Sequence, residues 1–288
     1  MKHILYVSVL VLFFSSCSSD FDNPVNKHQN YLYKDSLIFV AYSSLNHNYP
    51  INTLSHFIAA AKCGFNSLKA DLRITKDSVL ILCHDLGFTL DNNGRIINFD
   101  SHNYIPISDM MSDDVLALEI NAFNKEMGYY EHPMSFEDFL ILCDKLNVIP
   151  YITIRMEQQS STLERLFKIL KSYNKENTVI LNIFPPKIST CQSIRNYYKT
   201  PICLTLNVGN YITYELISAL DSIENLAICI YYDNLDSVSE IINILDEKGI
   251  GLYTWYVSND SEYKKALALG CVGFQVDNAD FFSNLSMP

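Results

Sequence analysis

Past residue 14 the chain has no apolar run long enough to cross a bilayer as a helix. Basic residues are also in short supply, with 21 Lys and Arg against 32 Asp and Glu, a net charge of -11, and no basic run. Binding to the phosphate backbone needs clustered Lys and Arg, so a nucleic-acid partner is not expected. The eight cysteines never fall at CxxC spacing, which argues against a zinc site. Several lie inside apolar runs, as in ILCHD, PICLTL and LAICIYY, where a free Cys packs as a small hydrophobe. An exported location permits disulfides, but the sequence does not pair them.

The N-terminus carries the one strongly apolar stretch. Lys2 and His3 lead a run over 4–14, followed by Ser15-Ser16-Cys17-Ser18-Ser19-Asp20. The run is too short to span comfortably, and the pattern resembles a bacterial lipoprotein signal. On that resemblance 1–16 is removed, Cys17 bears the lipid, 17–35 is a polar tether and 36–288 is one domain. The protein is then exported and anchored in a membrane, periplasmic or at the cell surface. An ordinary signal peptide cut elsewhere, or a simple anchor, is the alternative.

The remaining length suits one α/β domain. Eight short runs rich in Val, Ile, Tyr, Thr and Phe read as strands, at 37–42, 67–73, 149–155, 178–184, 202–207, 226–232, 251–257 and 272–277. Amphipathic segments lie between them. NTLSHFIAAAKCG has Asn52 as candidate cap and Gly64 past its end. SFEDFLILCDKLN opens with Ser135 and has Asp138 three residues on, a loose capping box. SVSEIINILDEKG puts Ile241, Ile242 and Leu245 on one face. NDSEYKKALALG starts at Asn259 or Asp260 and closes on Gly270. Strand and helix alternating eight times predicts a closed (β/α)8 TIM-like barrel, with an open doubly wound sheet as runner-up. One step breaks the rhythm. In RITKDSVLILCHD the turn at Lys76-Asp77-Ser78 is too short for a helix, so 79–84 folds back as a hairpin. A long excursion, 86–132, follows, with a turn at Asn93-Gly94 and a helix expected within SDMMSDDVLALEI.

From Phe39 to about Asn284 the chain resembles the glycerophosphodiester phosphodiesterase family. The motifs that carry the likeness are NTLSHFIAAAKCG, ADLRITKDSVLILCHD with the Asn-Gly turn after it, PMSFEDFL, and GLYTWYVSNDSEYKKALALGCVGFQVDNAD. The resemblance implies a TIM-like barrel of the phospholipase C-like phosphodiesterase type. It also implies glycerophosphodiester hydrolysis with a divalent metal, calcium or magnesium, held by three carboxylates and flanked by two His. Such an ion polarises the phosphoryl group, while imidazoles exchange protons near neutral pH.

The carry-over is incomplete. The family's first His-Arg-Gly falls on Tyr42-Ser43-Ser44, its Pro-Glu-Asn-Thr glutamate on Ile51, its Glu-x-Asp pair on Lys69 and Asp71, and its later Glu-x-Lys on Thr153 and Arg155. Asp71, His84 and Asp85 remain from the polar core, with Trp255 near the rim. A Lys ammonium about 4 Å from a cation costs about 4 kcal/mol at an effective dielectric near 20, so no metal is expected, with Asp71 as the ligand if one binds. Residues i and i+2 of a strand share a face, so Lys69 pairs with Asp71 in the barrel mouth, and Arg155 offers a planar fork for an anion. The expectation is a metal-free pocket for a small phosphodiester or sugar phosphate, built from Tyr42, Lys69, Asp71, Asp85, Arg155 and Trp255. His84 is the residual catalytic group if the site is active. His47 is a weaker substitute for the missing His, His56 belongs on a helix face, and His102 and His132 have no evident partners. The alternatives are an active hydrolase with a rearranged site, and a surface interaction protein drawing on its 19 Tyr.

Overall fold

The structure is a computed structural model that describes residues 37–42, 49–98, 104–120, 123–124, 128–155 and 160–284. Cys17, His47, His102 and the expected signal and tether lie outside these residues.

The chain opens on β1 (Ile38–Ala41), crosses through α1 (Leu54–Lys62) to β2 (Ser67–Ile74), and turns into β3 (Leu80–Leu82). β3 runs antiparallel to β2, with Leu72 opposite Leu82 and Ile74 opposite Leu80, so the expected hairpin is present. In the excursion, β4 (Gly87–Leu90), β5 (Ile96–Asn98) and β6 (Ile105–Pro106) form a small antiparallel sheet. They are followed by α2 (Ser112–Ala117) and the pair β7 (Phe123–Asn124) and β8 (Tyr129–Tyr130). This region has its own core of Ile81, Cys83, Phe88, Ile96, Ile107, Val115 and Ile120. The chain then alternates through α3 (Phe136–Leu146), β9 (Ile149–Ile154), α4 (Ser160–Ser172), β10 (Ile180–Ile183), α5 (Ile188–Tyr197) and β11 (Ile202–Thr205). It continues through α6 (Tyr214–Leu220), β12 (Leu226–Tyr231), α7 (Ile242–Glu247), β13 (Gly251–Val257), α8 (Asp260–Ala268), β14 (Gly273–Val276) and α9 (Ala279–Ser283).

β1, β2 and β9 to β14 are parallel, and the sheet closes because β1 pairs with β14 on one side and β2 on the other. The closed barrel is therefore the architecture, and the open sheet is excluded. The period of two along each strand sorts its side chains. One set, including Phe39, Leu68, Ala70, Leu72, Ile152, Ile154, Leu181 and Phe274, joins the main core with residues of the helices. The alternate set, Ile38, Val40, Tyr151, Ile180, Cys203, Ala227, Cys229 and Tyr253, fills the barrel interior. One step further along the same alternation stand Lys69, Thr153, Asn182, Thr205, Trp255 and Gln275, which line a cleft at the strands' C-terminal ends. Apolar fill below and polar side chains above give the barrel a floor and a mouth.

Several local expectations need correction. α1 is capped by Thr53, whose side chain accepts from His56 N; Asn52 sits at φ 61 and its side chain is used elsewhere. The segment before Gly249 is not one helix: Tyr232–Val238 is a 3-10 turn and α7 begins only at Ile242. The helix in the excursion spans six residues, Ser112–Ala117. Other expectations hold: Ser135 caps α3, and of the two candidates Asn259 caps α8. All seven described cysteines are free, six of them buried. His132 does have a partner, donating through Nδ1 to Leu118 O at 2.9 Å.

Candidate functional site

The site is built on the C-terminal ends of β2 and β9 and on the residues that follow β3. Lys69 and Asp71 stand two apart on β2, so both enter the mouth. They are 7 % and 2 % exposed. Lys69 Nζ donates to both carboxylate oxygens of Asp71, at 2.8 Å to Oδ1 and 2.7 Å to Oδ2. Parallel register places Asp71 beside Thr153 of β9, which brings Arg155 to the same carboxylate, Nε to Oδ1 at 2.9 Å. Asn52 completes the shell: its Oδ1 accepts from Asp71 N at 3.1 Å and its Nδ2 reaches Oδ2 at 3.4 Å. The positive φ of Asn52, a conformation Asn tolerates better than most residues, aims that side chain inward.

Arg155 also meets His84, Nη2 to Nε2 at 2.8 Å, and His84 Nδ1 lies 2.8 Å from Asp85 Oδ1. A guanidinium can only donate. Nε2 must therefore carry the lone pair and Nδ1 the proton, which it donates to Asp85. The tautomer of His84 follows from its two neighbours. Arg73 ties the two strand ends together, donating from Nη1 to Arg155 O at 2.6 Å and from Nη2 to His84 O at 2.7 Å. Within this linked group Lys69, Arg73 and Arg155 face Asp71 and Asp85, leaving one positive charge in excess.

Burial works against the Asp71 carboxylate, but the Lys69 and Arg155 cations outweigh it and hold the carboxyl well below the usual carboxylate range. Burial pulls the Lys69 ammonium below the ordinary lysine value, and Asp71 opposes that fall. The Tyr42 hydroxyl is pushed up to about 12, first by burial and then by Asp71. Tyr42 covers Lys69, whose Nζ is 4.8 Å from the ring centroid.

Opposite the cations lie aromatic rings. β13 bulges between Trp255 and Val257, and Tyr256 adopts φ 70 there. Its ring packs against Tyr42, Tyr231 and Trp255 at centroid distances of 5.7, 6.0 and 5.5 Å. A positive φ at a bulky residue is strained, and at this bulge it accompanies the cluster. Between cations and rings the mouth cleft has a volume of about 30 Å³. Asn182 spans its floor, donating to Thr153 Oγ1 at 3.0 Å and accepting from Thr205 Oγ1 at 2.6 Å. Trp255 Nε1 is buried with no hydrogen-bond partner among the described residues.

The structure thus brings Tyr42, Lys69, Asp71, Arg155 and Trp255 together. His84 joins them through Arg155, but Asp85 does not face the mouth; both line a separate cleft of about 20 Å³ under the hairpin. Sequence reasoning missed Asn52, Arg73, Asn182, Thr205, Gln275 and Tyr256. The strand alternation could have pointed to Arg73, Asn182, Thr205 and Gln275; nothing local marks Asn52 or Tyr256.

A family model described as the glycerophosphoryl diester phosphodiesterase family matches residues 44–281. The chain belongs to that family. A glycerophosphodiester phosphodiesterase from Caldanaerobacter subterraneus subsp. tengcongensis is 22 % identical over 258 residues, covering 86 % of this chain and 97 % of that one. Among solved structures, a glycerophosphodiester phosphodiesterase from Agrobacterium tumefaciens superposes with a TM-score of 0.66 at 15 % identity, covering 86 % and 100 % of the two chains. A phosphodiesterase from Oleispira antarctica in complex with the product sn-glycerol-3-phosphate gives 0.67 at 14 % identity, covering 85 % and 95 %.

The divalent ion implied by the family resemblance does not fit this donor set. Asp71 is the one carboxylate at the metal positions, and its two oxygens accept from Lys69, Arg155 and Asn52. Thr153 supplies a hydroxyl where a second carboxylate is needed. A hard cation with six or more oxygen ligands would have to displace an ammonium and a guanidinium. Among the described residues no group of three or more His, Cys, Asp or Glu is placed to hold a metal.

Proposed function

We propose that this family member is a lipid-anchored barrel that binds a small phosphate-containing molecule, a phosphodiester or a sugar phosphate, without metal and without hydrolysing it by the family's route. The observation that carries this reading is the Lys69 ammonium held against both oxygens of Asp71. A fixed cation supplies charge for an oxyanion, but it offers no exchangeable coordination position and no activated water. Arg155 adds a planar donor fork, Trp255 Nε1 is an unspent donor, and the aromatic cluster offers faces for a sugar or glycerol portion. The Oleispira relative, bound to sn-glycerol-3-phosphate, supports the ligand class.

One observation favours a rearranged hydrolase instead: His84 keeps a carboxylate partner in Asp85. Its Nε2, however, faces Arg155 rather than an open cleft. A glycerophosphodiester assay run with added calcium and then with chelator separates the two. The binding reading expects no turnover in either condition, with sugar-phosphate binding by calorimetry unchanged by the chelator. Turnover that the chelator abolishes would contradict it. The anchor is tested by detergent partitioning: the wild type is expected in the detergent phase and Cys17→Ser in the aqueous phase. Identical partitioning of both would remove the lipid from the account.

A further inference from the structure

The Arg155–His84 contact stands between the mouth cleft and the hairpin cleft, and neither is large enough for the ligand just proposed. Their volumes, about 30 and 20 Å³, hold one or two waters each, at about 10–15 Å³ per water on this measure. A tetrahedral oxyanion needs more. Arg155 is the side chain in the way, fixed on one side by Asp71 at 2.9 Å and on the other by His84 at 2.8 Å. The contact with His84 holds only while Nε2 is unprotonated, because an imidazolium and a guanidinium both donate and repel.

Resting on the anion-binding reading above, we infer that the Arg155–His84 contact is a proton-sensitive bar across the site, and that His84 becomes a second cationic ligand when an oxyanion draws Arg155 away. An anion engaging Arg155 frees Nε2. Nε2 then takes up a proton from solvent and donates to the same anion, with Asp85 holding the Nδ1 proton. Binding and protonation thereby favour each other. The charged groups around the ring are consistent with one added proton. Asp85 lies beside Nδ1, Asp71 lies beyond Arg155 with Lys69 behind it, and Arg73 holds the His84 carbonyl. Cys83 is a buried thiol whose titration burial pushes up to about 12, so it remains neutral. The role assigned to His84 is that of an anion ligand, which differs from a catalytic acid.

Calorimetry with sulfate tests this, since sulfate keeps its charge across the range where histidine titrates. Titrations at about pH 6 and about pH 8 in buffers of different ionisation enthalpy give affinity and proton uptake together. Expected are uptake approaching one proton per sulfate at the higher pH and affinity rising by up to about tenfold per pH unit on acidification. His84→Gln, which keeps an acceptor for Arg155, is expected to lose the pH dependence. Asp85→Asn is expected to move it to lower pH. Sulfate binding without proton uptake, or uptake retained in a folded His84→Gln protein, overturns the inference and leaves the anion site standing. Absence of sulfate binding at both pH values removes the anion site itself, and the bar with it.

Discussion

His56 and Asp71, both buried and both within the field of Lys69, respond to acid in different windows. The His56 ring is 1 % exposed and neither nitrogen has a hydrogen-bond partner among the described residues. Burial, and then Lys69, lower its titration from 6.5 to about 4. The unfolded chain therefore binds a proton that the folded chain refuses, and stability falls as pH drops from 6.5 to about 4. That gap corresponds to about 3 kcal/mol. Asp71 has a depressed folded-state value, so its contribution is present above the unfolded carboxylate range and is lost only in stronger acid. Urea unfolding across the His56 window is expected to show that slope in the wild type and a flatter one in His56→Leu. Equal slopes would mean that another group sets the acid limit.

At the scale of the element, the interior alternation of β13 and β14 fixes one residue by contact. A Cβ on Gly273 would lie 2.2 Å from the ring of Tyr253, its register partner on the adjacent strand. Gly273→Ala is expected to cost about 1–3 kcal/mol, as overpacking does. A double-mutant cycle with Tyr253→Leu is expected to recover part of it, whereas additive losses would place the clash elsewhere. The strands themselves were legible: each of the eight runs overlaps its observed strand because β-branched and aromatic residues cluster there and turn residues bound them. The Lys69–Asp71 pair was legible for the same reason, since a spacing of two on a strand puts both side chains on one face. What the chain did not reveal locally depends on closure. Arg73 reaches the end of β9, 82 residues away, and the partner of Arg155 on the hairpin lies 71 residues back. The role of Asn52 was misread as a helix cap because its neighbour Thr53 has the same local competence. The bulge at Tyr256 has no local sequence mark; its strained backbone accompanies ring packing against Tyr42, Tyr231 and Trp255.

For the whole molecule, the barrel keeps the family's frame, and the proposed function turns on the charges at its open end. A chain of net charge -11 places Lys69, Arg73 and Arg155 around two carboxylates at the strand ends, where the family resemblance calls for acids around a cation. The claim on which the function rests is that the Lys69 ammonium takes the metal's part. A calcium titration followed by the thermal midpoint of unfolding tests it most directly. A specific ligand of the native state stabilises by about 2.7 kcal/mol at a hundred times its dissociation constant, a shift that is easily read. The wild type is expected to keep its midpoint, and Lys69→Glu/Thr153→Glu, which restores two carboxylates beside Asp71, is expected to gain a calcium-dependent rise. A saturable rise in the wild type that Asp71→Asn abolishes would contradict the account.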